Sequence, residues 1–330
     1  MTGNHTARIW VAALAAAGVV VFAAVAATRG STSDGAMRMS LAALATPQPA
    51  SPPSSSEPNV TCANPTASLR PTAPLPAPGQ MPAGSFMRTI QKRGRLIAGV
   101  DQNTLLFGYL NPSNGRLEGF EIDLLRQVAK AIFGNPNAIE FKAITTAQRL
   151  PYVEQNKVDI VADAFTIDCY RRRNVDFSTV YYDAGQRLLV PAGSHARGMG
   201  DMGGKRVCAT AGSTSLANIA AAASHPIPYP VAQRTDCLVA LQEGRVAGIS
   251  TDDAILLGFA AQDPYTKIDG PRFSDQPYGM AVNKAHPDFV RFVNALLARW
   301  RTDGTWARIY RKWLGGVSAH VPPPPEATYR

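Results

Sequence analysis

The side chains best suited to hold a small charged solute come directly after predicted strands. Arg171 follows the buried strand predicted for VDIVA, and a planar guanidinium there could grip a carboxylate with two parallel hydrogen bonds. Asp252 follows the predicted strand GIS, and Asp101 follows RLIAGV, so either carboxylate could bind an ammonium group. Two plainer interpretations stay open: Arg171 in a solvated basic turn, and the aspartates as ordinary helix caps.

A predicted helix over 213–223 begins with hydroxyl-bearing residues. The segment 211–215 (AGSTS) follows the predicted strand KRVCA, and the unpaired backbone N–H groups at such a helix start can bind an anion. Hydroxyl caps also begin many helices that bind no ligand. This segment is therefore a weaker indication than the charged side chains.

Motifs that carry catalysis are missing from the chain. It has no G-x-S-x-G, no H-E-x-x-H, no C-x-x-C and no G-x-x-x-x-G-K-[ST]. The five His are scattered, which argues against a metal site. We therefore expect no metal and no cofactor, while the residues alone leave both a binding domain and a hydrolytic domain open.

Four cysteines indicate two disulfides in an exported chain, with three possible connectivities. Cys208 ends a predicted strand and Cys237 opens a predicted helix, so the two could lie in one structural unit. That pairing leaves Cys62 with Cys169, which would tie the N-terminal segment to the folded part. We predict these two pairs; four free buried thiols are the alternative.

The composition limits the class of protein. The 330 residues are 45 % hydrophobic and 17 % charged, which excludes a disordered chain and allows one or two domains. The net charge of +9 is spread along the chain rather than concentrated in blocks, so we expect no nucleic-acid partner.

The apolar pattern alternates between strand and helix. The predicted strands are 95–100, 139–143, 158–162, 205–209, 248–250 and 278–282, and the predicted helices are 119–133, 146–156, 213–223, 236–243 and 287–301, while 181–190 is a long apolar stretch. Such repeats predict α/β architecture with parallel sheets, which bind ligands beyond the carboxyl ends of their strands.

An uncharged run of 19 residues, Ile9–Ala27, is long for a signal peptide and close to the length of a spanning helix. We interpret residues 1–40 as a retained signal anchor, although the small residues at 24–26 also fit a cleavage site. Both interpretations place the rest of the chain outside the cytoplasm.

Proline-rich segments flank the folded part. Leu41–Ala83 holds 11 Pro in 43 residues, so we expect an extended tether over 41–85, with an ordered coat fixed by Cys62 as the alternative. We expect a second Pro-rich tail over 317–330.

Several short motifs occur in a fixed order. They are GFEID (119–123), KVDI (157–160), VDFS followed by YY (175–182), GKRV followed by AGSTS (204–215), QPYG (276–279) and DGTW through KW (303–313). From about Arg93 to Leu314 the chain thus resembles the polar amino-acid solute-binding proteins of ABC transporters (bacterial solute-binding protein family 3). The resemblance is closest to the actinobacterial glutamate/aspartate-binding branch.

The resemblance implies a type II periplasmic binding protein fold. Two α/β lobes with parallel-rich sheets would be joined by two crossover strands and close on the ligand. Lobe one would comprise 86–183 plus 283–316, and lobe two 184–282.

The resemblance also implies roles for individual residues. Arg171, Thr166 and Thr214 match positions that bind the ligand α-carboxylate, whereas Asp252 and the backbone carbonyl of Ala164 match positions that bind its ammonium group. Arg149 falls where acidic-amino-acid binders hold the distal carboxylate. The departures from the family pattern are Asp168 for Thr, Tyr170 for Glu, and Thr146 and Thr104 where amide binders often have aromatic rings.

The resemblance thus implies a non-enzymatic binding protein, a monomer that binds glutamate or aspartate and delivers its ligand to a membrane permease. Asp163 could instead pair with Arg149 and favour an amide ligand such as asparagine. A ligand sensor read by a membrane signalling protein is the alternative function. A dehydratase-type enzyme on the same scaffold is a third interpretation.

Overall fold

The computed structural model describes residues 60–71, 74–318 and 320–330. The apolar run at 9–27 and the first part of the Pro-rich segment lie outside these residues. Within them, no helix is both long enough and apolar enough to cross a membrane.

The strands of the described chain alternate with helices. In chain order they are β1 (Leu96–Val100), β2 (Asn103–Thr104), β3 (Gly108–Asn111), β4 (Arg116–Glu118), β5 (Ile139–Ala143), β6 (Ile160–Val161), β7 (Val175–Phe177), β8 (Tyr182–Pro191), β9 (Arg206–Thr210), β10 (Ile227–Val231), β11 (Gly248–Asp252), β12 (Thr266–Tyr278) and β13 (Ala281–Asn283).

The helices have the following bounds: α1 (Phe86–Arg93), α2 (Phe120–Phe133), α3 (Arg149–Glu154), α4 (Arg171–Asn174), α5 (Thr214–Ala221), α6 (Arg234–Gln242), α7 (Asp253–Gln262), α8 (Pro287–Thr302) and α9 (Thr305–Leu314). Two amphipathic ones, α2 and α8, lie close to the predicted ranges 119–133 and 287–301. Helix α2 buries Ile122, Leu125, Val128 and Ile132, the helical spacing visible in the sequence.

Two five-stranded sheets organise the molecule. The first has the order β5-β1-β6-β13-β7 and the second β10-β9-β11-β8-β12, while β2, β3 and β4 form a small separate sheet. Strand β1 pairs in parallel with β5 and β6, and β9 pairs in parallel with β10 and β11. We call the bodies around the first and second five-stranded sheets lobe one and lobe two. The α/β, two-lobed architecture that the resemblance implied is confirmed.

Two long antiparallel strands connect the lobes. Strand β8 begins at Tyr182 opposite Tyr278, the last residue of β12, and the two strands run together into the second sheet. The strand predicted over 278–282 is wrong in detail, because the chain turns at Gly279 from the second sheet to the first. A Cβ atom on Gly279 would lie 2.7 Å from the Ile167 side chain, so the turn requires a small residue.

Aromatic rings pack where the crossover strands leave lobe one. Phe120 makes ring contacts with Tyr181, Tyr182, Trp306 and Tyr310, with centroids 5.9–6.3 Å apart. All five side chains are buried. The terminal helix α9 is thereby fixed to the base of the crossover.

Residues 60–71 and the C-terminal tail lie on the folded part and pair with each other. The backbone N–H of Ser68 donates to Thr328 O at 2.9 Å, and that of Arg330 donates to Ser68 O at 2.8 Å. The Ser68 hydroxyl donates to Phe177 O, and the Arg330 guanidinium pairs with Asp176 at 2.9 Å. In the described residues from Val60 onward, the Pro-rich segment therefore packs on the folded part, as in the ordered-coat alternative.

The structure contains both predicted disulfides. Cys62–Cys169 joins the N-terminal segment to the loop that precedes α4, and Cys208–Cys237 joins β9 to α6. No cysteine of the described residues is free. The first bond closes a loop of 107 residues, which is the larger entropic constraint on the unfolded chain.

Candidate ligand-binding cleft

Six of the eight predicted ligand-binding residues line one narrow cavity between the lobes. The lining residues are Thr146, Arg149, Ala164, Thr166, Thr210, Ser213, Thr214, Ser215, Arg234, Thr251, Asp252 and Ile255. The other two predicted residues are connected to this wall. Arg171 donates to the backbone carbonyl of Thr166 at 2.8 Å, and Asp101 pairs with Arg234 at 2.7 Å.

Arg171 is the first residue of α4 and is 1 % exposed. Besides Thr166 O, its guanidinium contacts Gly212 O of lobe two at 3.4 Å and the Asp168 carboxylate at 3.2 Å. The solvated-turn interpretation is therefore wrong for Arg171 and holds only for Arg173, which is exposed. Asp168, one of the departures from the family pattern, orients the guanidinium at the cleft.

Arg149 is 3 % exposed, so it is not a surface residue of its helix. Its guanidinium and that of Arg171 both pack on the Phe165 ring, with their central carbons 4.5 and 4.9 Å from the ring centroid. Arg149 also donates to Ala164 O at 2.9 Å and approaches Gly212 O at 3.5 Å. Phe165 thus fixes two cationic side chains at the same part of the cleft.

Two threonines from opposite lobes share one acceptor. Thr166 of lobe one and Thr214 of lobe two each donate to Gln276 Oε1 at 2.7 Å, and their own hydroxyl oxygens lie 3.5 Å apart. Gln276 belongs to the crossover strand β12. Ser213, not Thr214, caps α5 by accepting from Leu216 N at 3.1 Å, so the capping interpretation applies to Ser213.

Asp252 occupies the N-cap position of α7, but its side chain makes no capping hydrogen bond. Instead its carboxylate accepts from the Tyr278 hydroxyl at 2.7 Å and from the Ser215 hydroxyl at 3.3 Å. Burial raises the pKa of Asp252 to about 6, against the opposing effect of the Tyr278 hydrogen bond. A cationic group in the cleft would favour the ionised form.

Ala164 has a left-handed backbone conformation, with φ of 44°, which is uncommon for a residue with a Cβ atom. Glu121 stabilises it: Oε1 of Glu121 accepts from Ala164 N at 2.6 Å and also from the Tyr181 hydroxyl. Burial and the neighbouring Asp163 carboxylate raise the pKa of Glu121 to about 7. This hydrogen bond orients the backbone that carries the predicted ammonium acceptor.

Asp163 forms an ion pair with an arginine of lobe two. Its Oδ1 accepts from Arg234 at 2.6 Å, whereas Arg149 donates to its backbone carbonyl at 3.0 Å. Asp101 Oδ2 accepts from the same Arg234 nitrogen. Thr104 donates to Asp101 and accepts from Arg234 at 2.9 Å.

Sequence reasoning missed Arg234, Phe165, Glu121 and Gln276. Glu121 carried a weak signal, an acidic residue among apolar ones in the first turn of α2. Arg234 carried none, because the helix was predicted to begin at Asp236 and an Arg before a helix is ordinarily solvated. No cluster of His, Cys, Asp and Glu in the described residues could hold a metal ion.

The cleft combines cationic and anionic groups at fixed positions, and direct contacts close it. Arg149 and Arg171 from lobe one reach Gly212, and Arg234 from lobe two reaches Asp101 and Asp163. Charged groups in a site with little water give strong hydrogen bonds to a ligand of complementary charge. The arrangement suits a small zwitterion held between the lobes.

The fold and the cleft define a two-lobed α/β binding protein of the periplasmic type. A match to a protein-family model identifies the family within this class. The chain belongs to the bacterial extracellular solute-binding proteins, family 3, whose model matches residues 96–316. Membership of this family implies a location outside the cytoplasm.

Two relatives illustrate the similarity in sequence. The ABC transporter glutamine-binding protein GlnH of Bacillus subtilis is 36 % identical over 229 residues, which cover 69 % of this chain and 84 % of the relative. The glutamate-binding protein GluB of Corynebacterium glutamicum is 27 % identical over 263 residues, covering 75 % and 88 %.

Solved structures show the same fold. An ancestral arginine-binding protein bound to glutamine has a TM-score of 0.63 and 33 % identity, covering 68 % of this chain and 99 % of that one. The cysteine-binding protein from Campylobacter jejuni has a TM-score of 0.69 at 23 % identity, covering 72 % and 97 %, and supports the fold alone.

Proposed function

We propose that this protein binds an acidic amino acid, glutamate or aspartate, in the cleft and delivers it to an ABC permease. The observation that carries the proposal is the pair of buried guanidinium groups, Arg149 and Arg171, on the Phe165 ring beside the cavity. An amino acid with an acidic side chain brings two carboxylates and one ammonium group. The cleft offers the matching charges.

Each part of the ligand has a counterpart in the proposal. Arg171 and the hydroxyls of Thr166 and Thr214 hold the α-carboxylate. Asp252 and the carbonyl of Ala164 hold the ammonium group, and Arg149 holds the distal carboxylate. Thr146 lines the cavity around the side chain, and Asp101 acts from behind the lining by holding Arg234. Gln276 would keep its bonds to both threonines only while the lobes are closed, so ligand binding and closure are coupled.

Glutamine is the second candidate ligand. The glutamine-binding relative at 36 % identity supports an amide. The carboxylates of Asp101 and Asp163 pair with Arg234, so an amide would reach them only if that pairing changed. Glutamate carries the distal charge that pairs with the Arg149 guanidinium, whereas glutamine does not.

The proposal includes no chemical step, since the relatives are solute-binding proteins and not enzymes. We further propose that the protein acts as a monomer held at the membrane by residues 9–27, with a membrane sensor protein as the alternative partner to a permease. Cell fractionation with N-terminal sequencing tests the anchor. A soluble protein that begins near residue 27 would contradict it.

Titration calorimetry of the full chain with each of the twenty amino acids tests the ligand class. We expect heat from glutamate and aspartate, a weaker signal from asparagine or glutamine, and none from basic or aromatic amino acids. Tighter binding of glutamine than of glutamate would overturn the acidic assignment. Binding of no amino acid would overturn the proposed function.

A further inference from the structure

A buried charge cluster connects the two lobes beside the proposed ligand cavity. Arg234, the first residue of α6 in lobe two, is 6 % exposed and reaches Asp101 and Asp163 of lobe one. Asp101 follows β1 and Asp163 follows β6, two neighbouring strands of the first sheet. The carboxyl ends of parallel strands bring these two carboxylates together.

The surroundings of the Arg234 guanidinium are those of a site built for a planar cation. Its Nη1 donates to Asp101 Oδ2 at 2.7 Å, to Asp163 Oδ1 at 2.6 Å and to Thr104 Oγ1 at 2.9 Å. Its Nη2 donates to the backbone carbonyl of Asp163 at 3.2 Å. Four acceptors from three residues of lobe one therefore surround a side chain that comes from the other lobe.

Two carboxylates of lobe one share the Arg234 guanidinium. Within the described chain Asp163 Oδ2 accepts no hydrogen bond, and the charge of Arg149, which donates to the Asp163 backbone carbonyl, also acts to lower the pKa of Asp163. Burial raises the pKa of Asp163 against the opposing effect of Arg234. Burial alone would lower the pKa of Arg234, but the two carboxylates outweigh it and raise that pKa. Removal of the guanidinium would leave buried carboxylates without their cation, an unfavourable state.

Arg234 also lines the proposed ligand cavity, together with Arg149, Thr166 and Asp252. A basic side chain that entered this cavity would meet the Arg234 guanidinium instead of the acidic pair behind it. Like charges in a desolvated cleft repel strongly.

We propose that Asp101, Asp163 and Thr104 form a guanidinium-binding site that Arg234 fills from within the chain, and that Arg234 thereby excludes amino acids with basic side chains. The exclusion rests on the proposed amino-acid function, whereas the guanidinium site does not. With the internal side chain removed, the site accepts a guanidinium or alkylammonium group from solution. Arg234 is in this view a specificity-determining residue.

The experiment uses the full chain with Arg234→Ala and methylguanidinium as the probe. We expect methylguanidinium to raise the melting temperature of the variant by about 2–4 °C, because a small cation fills the emptied site. It should not stabilise the wild-type protein. Arg245→Ala is the matched control, because it removes an exposed arginine of the same lobe that pairs with Glu243.

Two further variants define the site. Asp101→Asn combined with Arg234→Ala should lose the response to methylguanidinium, because one of the two carboxylates is neutralised. Arg234→Gln keeps most of the side-chain volume without the charge, and we expect calorimetry to detect L-arginine or L-lysine binding to it. The wild-type protein should bind neither.

The proposal is overturned if Arg234→Ala folds and shows no greater response to methylguanidinium than Arg245→Ala. It is also overturned if both Arg234 variants only aggregate with the probe present. If wild-type protein binds no amino acid but Arg234→Ala responds to the probe, the guanidinium site stands and the acidic-ligand function fails. The two proposals are thus tested separately.

Discussion

Gly212 of lobe two lies against Ala147 of lobe one at the edge of the cleft. A Cβ atom added to Gly212 would be 2.9 Å from Ala147 Cα, closer than real Cβ contacts allow. The same glycine has φ of 74° and accepts from Arg149 and Arg171 through its carbonyl. The closed position of the lobes therefore depends on a residue without a side chain.

Gly212→Ala should weaken ligand binding more than it weakens folding. The added methyl group would hold the lobes apart, and the left-handed backbone adds a strain of about 1 kcal/mol. Gly244→Ala is the control, since Gly244 has φ of 68° but no neighbouring atom within 4 Å of the place that an added methyl group would take. Calorimetry and thermal melts of both variants check this. Equal affinities for the two variants would contradict it.

Arg171→Lys should remove most of the affinity, because an ammonium group cannot replace a planar fork that makes parallel hydrogen bonds to a carboxylate. We expect a loss of about 1.5–3 kcal/mol, roughly 10- to 150-fold in Kd. Arg173→Lys in the exposed part of the same turn serves as the control. Wild-type affinity in the Arg171 variant would refute the role of this side chain.

Arg149→Met should lower the affinity for glutamate much more than that for asparagine. Methionine keeps contact with the Phe165 ring but cannot pair with a distal carboxylate. The control is Arg95→Met, which removes a surface arginine paired with Glu140. Calorimetric titration of each variant with glutamate and with asparagine measures the affinities. Equal losses of affinity for the two ligands in Arg149→Met, or no loss, would show that Arg149 does not recognise the ligand charge.

Ligand affinity should fall as the pH decreases below about 6. The pKa of Asp252 is about 6 before an ammonium group binds, and only its ionised form pairs with that group. Affinity should therefore decrease by up to about tenfold for each pH unit below this value, and binding near pH 6 should release protons.

Calorimetry in buffers of different ionisation enthalpy measures that release. Glu121→Gln is the control, because Glu121 also titrates, with a pKa of about 7, but contacts Ala164 N and the Tyr181 hydroxyl. The decrease of ligand affinity with falling pH should persist in Glu121→Gln and vanish in Asp252→Asn. Proton uptake on ligand binding, or an affinity that does not change between pH 7.5 and 5, would contradict ammonium binding by Asp252.

Removal of the Cys62–Cys169 disulfide should loosen the loop that carries Thr166 and Arg171. The N-terminal segment also holds this loop through Arg172, which donates to Pro65 O at 2.9 Å. For Cys62→Ser with Cys169→Ser we expect a stability loss of about 2–5 kcal/mol and faster amide exchange over 166–171.

The Cys208→Ser, Cys237→Ser variant is the comparison for that experiment. It should lose stability without faster exchange in the 166–171 loop, because its bond lies within lobe two. Peptide mapping of the unreduced protein checks the pairing itself. Four free thiols, or unchanged exchange in the first variant, would contradict the prediction.

Much of the fold and part of the cleft could be predicted because local patterns determine them. The apolar spacing of α2 predicted an amphipathic helix. The alternation of strands and helices predicted the parallel pairings of β1 with β5 and β6 and of β9 with β10 and β11, whereas the other pairings of both five-stranded sheets are antiparallel. Arg171 and Asp252 could each be predicted to follow a strand end, where such sheets bind ligands, but they belong to different sheets, and only the packing of the two lobes brings both to the cleft. Their roles toward a ligand stay predictions.

Other features arise only from tertiary contacts. The left-handed backbone of Ala164 depends on Glu121, which is 43 residues away in sequence. The sharing of Gln276 by Thr166 and Thr214 requires both lobes and a crossover strand.

The sequence by itself determined most of the strand and helix pattern and the charged residues at strand ends, since each depends on neighbours along the chain. It allowed three connectivities for the four cysteines, and only folding brings Cys62 to Cys169 across 107 residues. Only the tertiary structure decided that Arg234, and not a solvent molecule, faces Asp101 and Asp163. The reason is physical: the ionic environment of a buried side chain is set by groups that folding brings together, and no local pattern around Arg234 records which carboxylates those are.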